Sequence, residues 1–363
     1  MTLHRYFARR FAVLFLTTAA SITLFVGLID LIEQVRRADG ALSFRQVLTL
    51  TLLNLPAGFY EFLPLVVILA AIALFLGLAR SSELVVTRAA GRSGLVALVG
   101  PVIVAAVIGA LAVAMLNPIV AATSKRHADL RELYTGDGSV LSIGREGLWL
   151  RQGGEAGQTV IRATRTNPDA TVLYEASFVE YAPDGGPERR IEAARAALGD
   201  GVWTLFDVKV WPLAAGVTPE AGARRLDRLT LTSTLTRDRI RDSFGQPDAV
   251  AIWQLPDFIG DLESAGFSAR RHTVWLQMEL ARPVFLVALV IVAAGFTMRH
   301  PRAGRTGLNV LAAVLLGFGL HYVRNLAQVL GETGQITPWI AAWTPPVAAL
   351  LLALGLLLQR EEG

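Results

Sequence analysis

Six stretches of this chain are long and apolar enough to cross a bilayer, and they leave few folds open. Spanning a hydrocarbon core of about 30 Å takes roughly 20 residues of helix. In lipid every backbone polar group must also be satisfied within a helix or a closed barrel. Phe11 to Ile29 and Phe62 to Ala79 carry no charge, and Gly94 to Ser124 is uncharged and long enough to end beyond the bilayer. Pro283 to Met298, Thr306 to Val323 and Gln335 to Gln359 follow far downstream. The 363 residues are 53% hydrophobic, with a mean hydropathy of +0.47, a membrane composition. The first run has a basic start but lacks a convincing A-x-A site and runs into "IDLIEQVRR", so we read it as a retained span and not a cleaved signal. The expected domains are 1–124 with spans one to three, 125–272 as an inserted segment, and 273–363 with spans four to six.

Orientation follows the arginine bias of short loops. With the N-terminus inside, Arg5, Arg9, Arg10, Arg80, Arg88, Arg92, Arg299, Arg302, Arg305 and Arg360 face the cytoplasm, and the short outer loops hold only Arg36, Arg37 and Arg45. Both termini are therefore expected in the cytoplasm and the inserted segment outside, in the periplasm of a Gram-negative cell.

The inserted segment has a different texture. "ATVLYEASFVEYA", "ERRIEAARAAL" and "VWTLFDVKVW" are β-rich and are separated by the turns "PDGG" and "GDG", the pattern of antiparallel strands. From Val202 the side chains alternate, with Val202, Thr204, Phe206, Val208 and Val210 on one face and Trp203, Leu205, Asp207, Lys209 and Trp211 on the other. The expectation is an all-β unit, a sandwich or jelly roll, with Val202, Phe206 and Val208 on the more apolar face. After it, "QLPDFIGDLESAGF" places Leu255, Phe258, Ile259 and Leu262 at i, i+3, i+4 and i+7. An amphipathic helix over about 255–265, stopped by Gly266, covers one end of the β unit and leads the chain back to the membrane.

Catalytic signatures are missing. There is no P-loop, and Lys125 and Lys209 are the only lysines. G-x-S-x-G, H-E-x-x-H and S-x-x-K stretches are also lacking. No cysteine is present, and His4, His127, His272, His300 and His321 are scattered. Neither a metal nor another cofactor is expected. The arginines do not cluster as a nucleic-acid groove requires.

The segment "ARSSELVVTRAAGRSG", Ala79 to Gly94, is more than a loop. Ser82 can cap a helix, Glu83 suits its first turn, Arg88 its last, and Gly91 its stop. A helix of about 82–90 is marginal alone in water, so Leu84, Val85 and Ala89 need a surface, either the neighbouring spans or a cytoplasmic partner. A membrane-anchored periplasmic enzyme and a scaffold remain open at this point, alongside a transport subunit.

"RSSELVVTRAAG" resembles the cytoplasmic segment of the LptF/LptG family of lipopolysaccharide export permeases. "LHRYFARRF", "IEQVRRADG", "EGLWLR" and "LPDFIGDLESAGFSARRHTVWLQMELARP" resemble other parts of it, and the start and the "SELVV" segment look more like the LptG branch. The resemblance implies a six-span membrane protein with a periplasmic β-jelly roll. It also implies a non-catalytic permease subunit, whose coupling helix (Glu83, Leu84, Val85, Arg88, Ala89) docks on a separate ATPase. Arg88 departs from the uncharged polar residue common there. The implied partners are an LptF-like permease as heterodimer, two copies of the LptB ATPase, the single-span LptC, an LptA-like bridge, and lipopolysaccharide itself. Arg36 and Arg37 match the family's basic pair, which grips lipid A phosphate; the simpler alternative pairs them with Glu33 or Asp39. Arg324, near the outer end of span five with His321, is a headgroup ligand or a partner of Glu61.

Overall fold

The computed structural model describes residues 2–38, 42–89, 94–135, 141–144, 147–154, 157–167, 171–182, 186–199, 201–213, 220, 222–233, 247–264, 268–298 and 306–361. The chain divides into two compact units. One contains Met1–Tyr134, Asp248–Trp253 and Arg270–Gly363, the other Thr135–Pro247 and Gln254–Ala269.

In the helical unit, α1 (Thr2–Ala38) and α2 (Phe44–Arg80) are followed by the short α3 (Glu83–Ala89). Then come α4 (Gly94–Leu111), a π-helical turn (Ala112–Leu116) and α5 (Asn117–Thr135). After the β unit and its helix α6 (Leu255–Ser264), α7 (Arg270–Thr297), α8 (Thr306–Glu332) and α9 (Pro338–Glu361) complete the chain. The six helices expected from the apolar runs are all present and long enough to span a membrane, and each extends beyond the uncharged stretch that marks it. The longest N-terminal extensions are in α2, which begins at Phe44 although the apolar run starts at Phe62, and in α7, which begins at Arg270 although it starts at Pro283. Proline is tolerated within a membrane helix because neighbours satisfy the freed carbonyl.

α7 is the hub, packed against α2, α4, α8 and α9. Its Phe285, Leu286, Leu289, Val290 and Val292 are fully buried, as are Val66, Val67, Leu74 and Phe75 of α2. Small residues set the closest approaches, as in membrane helix pairs generally. A Cβ on Gly109 would lie 2.6 Å from Pro283 Cα, and one on Gly100 would lie 2.5 Å from the His4 carbonyl oxygen. The π-turn also anchors the returning chain. The Ile252 amide donates to Asn117 Oδ1 (2.8 Å) and the Trp253 indole to the Ala114 carbonyl (3.1 Å). By contrast α1 and α8 are mostly uncovered, with Leu24, Phe25 and Ile32 of one and Leu308, Leu315 and Leu326 of the other each over half exposed.

The β unit is one antiparallel sheet whose strands follow chain order: β1 (Leu141–Gly144), β2 (Gly147–Gly154), β3 (Gly157–Thr166), β4 (Val172–Tyr181), β5 (Pro187–Gly199), β6 (Val202–Pro212) and β7 (Arg224–Thr232). All recorded pairings among the described residues join sequence neighbours. The buried face carries Leu150, Ile161, Phe178, Ile191, Trp203, Leu205 and Val208, covered by Phe258, Ile259 and Leu262 of α6. Burying each such large side chain contributes about 1.5–3 kcal/mol. Helix α6 therefore forms and packs as its periodicity predicts; its expected stop, Gly266, lies outside the described residues.

The strict alternation expected for β6 does not hold. Trp203 and Leu205 are buried, yet so is Val208, while Val202 and Phe206 are only partly covered. The cause is Asp207, which takes φ +51. Glu175 of β4 does the same at φ +53, and there Leu173 and Ala176 are the buried neighbours. Each left-handed residue inserts one step into the pleat, so all strands through this row exchange inward and outward parity together. The regular pairing skips these positions on both β4–β5 and β5–β6.

Candidate functional site

Helix α3 follows α2 almost without interruption. The Ser81 amide still donates to the Gly77 carbonyl at 3.0 Å. Ser82 then takes φ +58, a left-handed conformation that stops α2 at a cost of roughly 1–2 kcal/mol. Its carbonyl accepts from the Val85 and Val86 amides at 3.0 and 3.1 Å, the first bonds of α3. Ser82 thus stands at the cap position expected for it and acts there through its backbone.

The acid of the first turn is held by the chain itself. Arg10 Nη1 on α1 donates to Glu83 Oε1 at 2.7 Å, and Ser81 Oγ donates to the same oxygen at 2.7 Å. Arg10 also donates to the Tyr6 hydroxyl at 3.0 Å and lies 5.9 Å from its ring centre. Burial alone would raise the Glu83 carboxyl, but the Ser81 hydroxyl and the Arg10 guanidinium outweigh it and hold it below its ordinary 4.5. Among the described side chains of the helix Thr87 is the buried one, 7% exposed, with its hydroxyl donating to the Glu83 carbonyl. Val85 and Val86 are 46% and 67% exposed, and Ala89 is exposed too. Of the residues expected to need a surface, Val85 and Ala89 therefore remain exposed among the described residues, and Val86 joins them. The side chains of Leu84 and Arg88, and Gly91, lie outside the described residues. A seven-residue helix cannot persist alone; here Arg10 and Ser81 hold it through Glu83 and Thr87 is buried, while an apolar strip faces outward.

At the other end of α1, Arg36 Nη2 lies 2.7 Å from Glu33 Oε2 and Arg37 Nε 2.8 Å from Glu33 Oε1. One carboxylate faces two guanidiniums that are 76% and 56% exposed. Such pairs contribute about 0–1 kcal/mol, so both guanidiniums can exchange Glu33 for a stronger anion. Asp39, the other expected partner, lies outside the described residues.

Arg324 is 6% exposed. It sits 5.5 Å from the Phe285 ring centre, donates to the Met278 carbonyl at 3.4 Å, and its Nε is buried without a hydrogen-bond partner. It belongs to a cluster that the sequence reading missed. The Tyr60 hydroxyl donates to Glu279 Oε2, Arg282 Nε donates to the same oxygen at 3.0 Å, and the Arg282 guanidinium stacks 4.0 Å over the Tyr60 ring. Glu279 and Arg282 are 0% and 4% exposed. With Arg324 the cluster holds one more cation than it has carboxylates. The available signal was E-x-x-R in "MELARP", an i, i+3 ion pair abutting an apolar run. The alternative pairing of Glu61 with Arg324 is not formed; Glu61 instead lines a small cleft with Phe62, Leu289, Phe318 and His321. Among the described residues no group of three His, Asp or Glu is placed to hold a metal ion.

A family model described as "Lipopolysaccharide export system permease LptF/LptG" matches residues 5–359. The chain belongs to the LptF/LptG family. Among curated relatives, it is similar to the lipopolysaccharide export system permease protein LptG of Escherichia coli strain K12, 23% identical over 370 residues covering 99% of this chain and 98% of that one. The LptG protein of Haemophilus influenzae is also 23% identical, over 371 residues and 99% of both chains. The six helices, the inserted sheet and the α3 segment are thus those of an LptF/LptG permease, along its full length.

Proposed function

We propose that this chain is one of two transmembrane subunits of an ATP-driven lipopolysaccharide exporter of the bacterial inner membrane, with both termini cytoplasmic and the β unit periplasmic. It draws lipopolysaccharide from the outer leaflet and passes it toward a periplasmic bridge. The observation that carries the reading is α3, a helix held by Arg10 and Ser81 through Glu83 that shows Val85, Val86 and Ala89 outward. Glu83, Leu84, Val85, Arg88 and Ala89 form the docking strip for a separate ATPase of the LptB kind, two copies of which serve this chain and an LptF-like partner. LptC and an LptA-like bridge complete the path.

The two least covered long helices, α1 and α8, are suited to form the boundary with the second permease subunit and with lipid. Cargo enters between the first span of one subunit and the fifth of the other. Arg36 and Arg37 stand at the end of α1 with a single shared acid, ready to bind phosphate through two parallel N–H···O bonds. Arg324 is the third headgroup ligand, in a cluster with one surplus positive charge.

The test is co-purification. The full chain, expressed with its permease partner and the ATPase, should yield one assembly whose ATP hydrolysis in liposomes rises with added lipopolysaccharide. An assembly that forms but shows no such rise, or a chain that retains no ATPase, overturns the reading.

A further inference from the structure

The sheet face opposite α6 is not an ordinary solvated face. Five consecutive strands place Arg165, Tyr174, Arg195, Phe206 and Arg228 side by side in register. Cations and aromatic rings alternate, and each guanidinium stacks on a ring. Arg165 lies 5.9 Å from the Tyr174 centre, and Arg195 and Arg228 lie 5.5 and 5.6 Å from that of Phe206. Strands are about 4.8 Å apart, so successive guanidiniums stand roughly 10 Å apart along the row. Arg165 has a loose contact with Glu175 at 3.7 Å. Among the described residues no carboxylate is recorded within ion-pair distance of Arg195 or Arg228, both of which are exposed. Stacking fixes the plane of a guanidinium and leaves its N–H edge free to donate.

Beside this row lies an open depression of mixed charge, lined by Arg162, Arg190, Lys209 and Arg225 together with three carboxylates, Glu175, Glu192 and Asp207, and the hydroxyls of Thr164 and Ser177. That mixture selects among anionic partners. A surface that carries only negative charge would find partners for the four cations and none for the acids. A polyhydroxylated ligand needs acceptors as well as donors, and its apolar ring faces stack on exposed aromatics such as Tyr174, 38% exposed, and Trp149, 39% exposed.

We propose that this outer face binds a phosphorylated or otherwise acidic glycan, its anionic groups on Arg195 and Arg228 and its hydroxyls on the neighbouring acids. The inference rests on the export reading only for the source of such a glycan, the sugar portion of the cargo. The buried face of the same sheet, packed on α6, takes no part.

The test uses the full chain in detergent and a lipid-free phosphorylated oligosaccharide released from lipopolysaccharide by hydrolysis. The chain should bind it, and binding should weaken about tenfold after phosphatase treatment or in the double variant Arg195→Gln, Arg228→Gln, from loss of charge-assisted contacts. The corresponding double Lys variant, which keeps charge without the planar fork, should fall between, and serves as the folded control. Absence of glycan binding, unchanged binding in the Gln variant, or preference for phosphatidylglycerol vesicles or a polyglutamate peptide overturns the proposal. If lipopolysaccharide still stimulates hydrolysis in the wild-type assembly while the glycan does not bind, only this inference fails; loss of stimulation there sinks the export reading instead.

Discussion

Replacing Arg10 by Ala removes the clamp that holds α3 from behind. The Arg10–Glu83 contact is 2.7 Å long between side chains 33% and 31% exposed. That places it between an exposed pair, about 0.2–1 kcal/mol, and a hydrogen bond to a charged group, about 1.5–3 kcal/mol; roughly 1 kcal/mol is the working figure. Ser81 continues to hold Glu83, so α3 loosens without being lost. Since 1.4 kcal/mol is a factor of ten, amide hydrogen exchange across Glu83–Ala89 should quicken severalfold, up to about tenfold. Glu83→Ala should do somewhat more, and the double variant should fall short of the sum by roughly 1 kcal/mol. The pair also carries a pH dependence. A carboxyl held below its ordinary 4.5 contributes its stabilisation above that value and loses it as pH falls through the lowered one. Protection of α3 should therefore stay level near neutrality and drop only in acid, and Glu83→Gln should lack the drop. In the assembled transporter, Arg10→Ala should lower lipopolysaccharide-stimulated hydrolysis with the ATPase still bound. Unchanged exchange in Arg10→Ala, or strict additivity of the two single variants, would refute the clamp.

Val86→Asp changes an exposed residue, so thermal unfolding of the isolated chain should move by no more than about 0.5 kcal/mol, while the ATPase should no longer co-purify; retained co-purification contradicts docking on this strip. Arg36→Ala with Arg37→Ala should weaken lipopolysaccharide stimulation yet nearly keep basal hydrolysis, Lys at both sites should retain much of it, and Glu at both should be worst, all read at equal amounts of reconstituted protein. Glu279→Gln leaves Arg282 and Arg324 buried without their acid and should cost about 3–5 kcal/mol, seen as lost abundance and lower melting, whereas Glu279→Leu with Arg282→Met and Arg324→Leu should recover most of it. Gly109→Ala pushes a methyl against the Pro283 backbone and should destabilise by about 1–3 kcal/mol, while Gly319→Ala, with nothing within 4 Å, should be neutral or stabilising by up to about 1 kcal/mol on the helix scale.

Hydropathy and local period were enough to determine the six spans, the β insertion between the third and fourth, and the amphipathic α6. Each of those features is decided within a window of neighbouring residues: a bilayer needs a run of apolar side chains, and a helix face needs spacing by three and four. The α3 segment was legible for the same reason, since its cap and first-turn acid lie within two residues of each other. What joins it to the rest was not legible. Glu83 meets Arg10, 73 positions away, and Tyr60 meets Glu279, 219 positions away. Nothing local distinguishes a charge that will be buried beside a partner from one that will flank a membrane, which is why the span of α7 was begun at Pro283 and the Glu279–Arg282 pair left outside it. The inward face of the sheet was likewise a tertiary decision. Alternation along β6 fits either parity, and the left-handed turns at Asp207 and Glu175, which exchange the two, are affordable only because neighbouring strands make the same step in the same row. The direction of α3's apolar strip was settled the same way, by α1 and α2 occupying the opposite side.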